Sequence, residues 1–135
     1  MRQQVQYTKK DHMSIRIKIA KWFLLLGALG SLLAFFLSPD LPYSTALSYA
    51  VYGISFVLYM TSCIGLHLKV SWGRKVSIAT FIIGIFYCVY SMIYHLRCID
   101  GWNINFNLMI VNIVYIIING YFVYYLSQKE AKILF

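Results

Sequence analysis

A chain of 135 residues that is 61% hydrophobic and only 12% charged is not a water-soluble globular domain, in which charged residues make up ~25%. Its formal net charge of +8 would suit a nucleic-acid partner. The cations, however, stand at the ends of apolar runs and form no aromatic-interleaved basic surface, which argues against that class.

In chain order, residues 1–18 form a basic cytoplasmic arm whose positive charge continues to Lys21. Arg2, Lys9, Lys10, Arg16, Lys18 and Lys21 stand there against a single acid, Asp11. A first apolar span follows at about 19–37. A basic start before an apolar run also describes a signal peptide. This run exceeds a usual signal core, and Ser38, Pro39, Asp40, Leu41 and Pro42 read as a turn into a second span, so a retained anchor is expected. Met13, Ile15, Ile17 and Ile19 alternate with polar groups, which suits an arm lying in the membrane interface before the chain turns inward.

The second span is expected at about 43–68, with Asp40 as its cap and Pro42 in its first turn. The linker 69–75 holds Lys69, Arg74 and Lys75 and a helix-breaking Gly73. A third span covers about 76–96, a turn at 97–102 contains Asp100, and a fourth span covers about 106–126. Residues 127–135 are a short cytoplasmic tail. Each span has the ~20 residues needed to cross a ~30 Å hydrocarbon core.

Eleven of the twelve Lys and Arg residues fall in the basic N-terminal stretch that runs to Lys21, the middle linker and the tail, and only Arg97 falls in the other two turns. The positive-inside rule then sets both termini in the cytoplasm, in a multi-pass protein of the cytoplasmic (inner) membrane. Trp22, Trp72 and Trp102 stand near span ends, where interfacial indoles belong.

The fourth span carries Asn105, Asn112 and Asn119, seven apart and so on one helix face. Amides turned to lipid would leave donors and acceptors unpaired, so this face should meet protein or a cavity that protein encloses. The other spans carry matching stripes of small residues: Ala20, Gly27 and Ala34; Ser48, Ser55 and Ser62; Ser77, Gly84 and Ser91. Small residues let helix backbones approach, and a seven-residue period implies left-handed crossing near ~20°. A shift of 57 residues lays the first stripe on the third and the second on the asparagines. Two readings of that register stand open: a tandem helical-hairpin repeat, or the likeness of any two short hairpins of similar length. Tyr52, Tyr59, Tyr87, Tyr94, Tyr115 and Phe122 line neighbouring positions, where a phenol can pack its ring and still hydrogen-bond through its hydroxyl.

These polar groups have two uses. As helix glue, Asn112, Asn119, Ser55, Ser62, Ser91 and the tyrosines satisfy one another, each interhelical hydrogen bond contributing ~0.6 kcal/mol on average. As a lining, they would border a ligand pocket or a path for a neutral solute or ion. The glue reading is the commoner use of buried amides.

Other chemistry is scarce. No Asp, Glu, Lys or Arg lies centrally in any span, which argues against proton-coupled exchange. Cys63, Cys88 and Cys98 form no CxxC pair and read as packing residues. His67 and His95 fall near opposite membrane faces, too far apart to share a metal or haem, and His12 carries no motif. No phosphate loop, nucleophile elbow or acid pair is present. Lys9, Lys10, Arg16, Lys18, Lys21, Lys69, Arg74 and Lys75 would attract anionic lipid at ~1 kcal/mol each, although the same charges are needed to set topology.

The expectation is therefore an all-α integral membrane protein: four transmembrane helices in an antiparallel left-handed bundle, N-in/C-in, without enzymatic activity, cofactor or metal. Its expected role is that of a small accessory, regulatory or immunity-like subunit, binding another membrane protein or a copy of itself by helix–helix contact. The alternative is a small oligomeric channel or transporter lined by the asparagines of span four. A third reading, an enzyme acting on a lipid or quinone, rests on His67 and interfacial aromatics alone.

Overall fold

The computed structural model describes residues 2–37, 45–97, 106–133 and 135. The described residues are helical with no strand: α1 (Arg2–Leu37), α2 (Thr45–His67), α3 (Ser71–Arg97), α4 (Phe106–Ser127) and a last turn, α5 (Lys129–Lys132). Four of the helices are long and apolar enough to cross a membrane, over Ile15–Leu37, Tyr49–His67, Ser71–Ile93 and Met109–Ser127. Asp40 and Pro42, and the turn that contains Asp100, lie outside the described residues.

Two helix starts differ from the sequence expectation. The basic arm does not turn: α1 is unbroken from Arg2, and its 36 residues span about 54 Å, well beyond a ~30 Å core. No Gly or Pro stands between Arg2 and Phe23, and Gln, Lys, Arg and Met are all good helix formers. Local helix propensity therefore outweighs the short alternation at residues 13–19. Further on, α3 starts at Ser71, so Gly73 is not a breaker but a helical residue.

The chain packs as two units that divide after Ser77, inside α3. In the first, α1 and α2 run antiparallel. Lys21 meets His67, the Tyr59 ring lies over Gly27, and Phe35 meets Tyr49 edge-on at 5.0 Å between ring centres. Residue numbers rise along one helix as they fall along the other. The α1 positions Ile17, Ala20, Leu24 and Ala28 are buried, at helical steps of three and four. A side-chain carbon on Gly27 would lie 2.9 Å from Tyr59 Cε1, so the absence of one lets the phenol ring sit against the α1 backbone.

The reversal from α2 to α3 takes three residues. Val70 N–H donates to Gly65 O (3.2 Å) and Lys69 N–H to Leu66 O (3.3 Å), the paired bonds of a Schellman cap. Lys69 occupies the left-handed position with φ 53°, where glycine is the usual residue. So short a turn brings the helix ends together. Gly65 and Gly73 pack backbone on backbone, with the Trp72 ring beside Gly65. One turn further, buried Ser77 donates from Oγ to Gly73 O (2.8 Å) and reaches Ser62 O at 3.4 Å. Small residues at 62, 65, 73 and 77 are what permit this approach.

In the second unit, α3 from Ile78 runs antiparallel to α4. Phe81 stacks on Phe122 with ring centres 5.1 Å apart and planes at 23°, and Asn112 meets Ser91. Both pairs follow one register, about 15 Å apart along the helices. Phe81, Phe122, Tyr125 and Leu126 are buried almost completely.

Candidate functional site

The asparagine face of α4 is the candidate site, and its geometry follows from the α3–α4 register. Asn112 and Asn119 are two turns apart and both buried, at 9% and 3% exposure. Asn112 Nδ2 donates to Ser91 Oγ at 3.5 Å, a long and weak bond. Moving three residues from the Phe81–Phe122 pair toward Ser91 and Asn112 brings Gly84 level with Asn119. Gly84 and Ser91 thus stand level with Asn119 and Asn112, and the Phe81–Phe122 pair lies three residues beyond Gly84 and Asn119. Among the described residues no buried side-chain nitrogen or oxygen lacks a hydrogen-bond partner.

The remaining expected site residues separate by unit. Ser62 is fully buried and Ser55, Tyr52 and Tyr59 half-buried in α2, in the first unit, while Ser91 is half-buried in α3. Tyr87 and Tyr115 are exposed on the outer surface of the chain. Asn105 lies outside the described residues. Of the cations, Arg16, Lys18, Lys69 and Lys75 are exposed and Lys21 and Arg74 half-buried. Lys9 and Lys10 are on α1, but their side chains lie outside the described ones. No cluster of three or more His, Cys, Asp or Glu able to hold a metal occurs among the described residues.

Two contacts escaped the sequence reading. The glycine pair at 65 and 73 is not visible in the sequence pattern, in which Gly73 reads as a breaker between two spans. The contact between Lys21 Nζ and His67 Nδ1, at 3.2 Å, was also missed. A signal for it existed: Lys21 is the last cation before the uncharged run of α1, His67 ends α2, and an antiparallel hairpin brings those two points together.

The chain matches no protein-family model, no curated protein and no solved structure. The class is accordingly carried by the helices alone: four apolar spans of this length are those of a small multi-pass membrane protein.

Proposed function

We propose that this is a non-enzymatic subunit of the cytoplasmic membrane, both termini cytoplasmic, that acts by binding another membrane protein or a second copy of itself through its helix faces. The observation that carries this reading is the direction in which the polar groups point. Asn112 and Asn119 are turned inward and buried. The faces left outside are apolar or aromatic, including Leu26, Leu29, Leu33 and Phe36 on α1 and Ile110, Ile117 and Tyr124 on α4. In each span window only 17–28% of residues are buried within the chain. Helix surface is therefore plentiful, and chemistry-bearing groups are few.

A solute path along α4 would need the same amides open to water, and their burial favours packing instead. The two readings separate by experiment. The chain is extracted in mild detergent, its mass is measured, and membrane proteins cross-linked to it in the membrane are identified. One defined partner or homo-oligomer is expected. A chain that stays monomeric and captures no membrane protein contradicts the proposal. Solute flux into liposomes above that of empty vesicles, abolished by Asn119→Leu without loss of folding, would favour the channel.

A further inference from the structure

Between α1 and α2, at the basic end of their hairpin, lies a groove of about 310 Å³ lined by Lys21, Trp22, Leu25, Cys63, Ile64, His67 and Leu68. That volume is at the small end of ligand pockets, ~300–1,000 Å³, enough for a headgroup and the first part of an acyl chain. We propose that this groove is a binding site for one anionic phospholipid, its phosphate held by Lys21 and His67 and its acyl chain lying along Leu25 and Ile64.

Three features argue for that occupant. The first is the donor set. Lys21 Nζ lies 3.2 Å from His67 Nδ1, which gathers the N–H groups of an ammonium and an imidazole ring at one point. The head of the groove thus presents N–H donors. Lys21 brings a positive charge to that point, and Lys69 stands two residues beyond His67. A phosphate supplies both the acceptors and the opposite charge.

The second feature is amphipathic order. Below Lys21 and His67 the lining is apolar, with Leu25 and Ile64 one helical turn further toward the middle of the spans. A free phosphate would use only the head of such a groove; a lipid uses both parts. The third is depth. Lys21 and Trp22 mark the last cation and an exposed indole before the uncharged run of α1, which is the level of lipid headgroups. Sequence alone predicts a diffuse attraction by all the basic residues. The groove instead singles out one of them, Lys21, together with His67, and sets a stoichiometry of one.

The test uses the full chain in a neutral detergent, with bound molecules counted by native mass spectrometry. The probes are short-chain phosphatidylglycerol, phosphatidylcholine with the same chains, and glycerol phosphate. One phosphatidylglycerol per chain is expected, held in clear preference to the other two probes. Lys21→Gln combined with His67→Gln should weaken it by about tenfold or more, since two charge-assisted bonds are lost. Lys18→Gln, one turn away on the exposed surface, should change it by less than about twofold. Leu25→Trp keeps Lys21 and His67 but fills the groove, and should also cost about tenfold by exclusion of the chain. If the double variant fails to fold, Leu25→Trp decides. Equal retention of phosphatidylcholine or of glycerol phosphate, a Lys18→Gln loss as large as the double variant's, or full binding by folded Leu25→Trp would each overturn the proposal.

Discussion

Replacing Gly73 by alanine tests how the α2–α3 hairpin is closed. The added carbon would fall on the backbone of Gly65, and the carbon of Gly65→Ala would fall on that of Gly73. Backbone cannot rotate aside as a flexible side chain can, and a three-residue turn leaves the helix ends little freedom to separate. Overpacking of this kind costs ~1–3 kcal/mol. Separation of the helices also removes the Ser77 Oγ to Ser62 O contact at 3.4 Å, one weak interhelical bond contributing ~0.6 kcal/mol. Against these stands the helix-propensity gain of Gly→Ala, ~0.8–1.0 kcal/mol. The balance is a loss of about 0.6–2.8 kcal/mol, roughly a 3- to 100-fold fall in the folding equilibrium constant. Gly30 and Gly120 are the internal controls, because a carbon at either meets nothing within 4 Å. Their alanine variants should be neutral or more stable by up to ~1 kcal/mol. Reversible unfolding in mixed micelles, followed by circular dichroism, measures all four. A Gly73→Ala chain as stable as Gly30→Ala would refute the close approach of α2 and α3.

Three further outcomes are expected in the same assay. Lys69→Gly relieves the left-handed backbone at φ 53° and should stabilise the chain by about 1 kcal/mol; no gain would mean that the cap is not formed. Phe122→Ala leaves a cavity against Phe81 and should cost ~3–5 kcal/mol, whereas a loss below about 1 kcal/mol would show that the stacked pair is absent. A double-mutant cycle of Asn112→Leu with Ser91→Ala should give a coupling of ~0.6 kcal/mol, at the weak end because the bond is 3.5 Å long; zero coupling would place the two groups apart.

The helical elements were legible because an uncharged run of twenty residues admits few other structures. The ends of α1 and α4 fall within a residue of their expected places, at Leu37 and Ser127. The starts of α1 and α3 were not legible, since the hydropathy pattern marks where an apolar span begins and not where its helix does, and Lys and Arg are strong helix formers that extend it. The inward direction of Asn112 and Asn119 followed from the cost of placing an amide in lipid. Their partners did not follow, because a seven-residue stripe recurs in every span and fits many registers. The backbone contact of Gly65 and Gly73 depends on a left-handed residue at Lys69, where nothing in the side chain announces it. Lys21 and His67 lie 46 residues apart and become a pair only once the α1–α2 register is known.

The inward placement of Asn112 and Asn119 is tested most directly by site-directed spin labelling in lipid bilayers. Single cysteines at 112, 119 and 117, in a chain lacking its own three, are probed with oxygen and with a water-soluble nickel chelate. Ile117, 64% exposed, should show the high oxygen access of a lipid-facing position, and 112 and 119 should be shielded from both reagents. High nickel access at 112 and 119 would reveal a water-filled path, and oxygen access equal to that at 117 would turn the asparagines toward lipid; either result contradicts the packed interior.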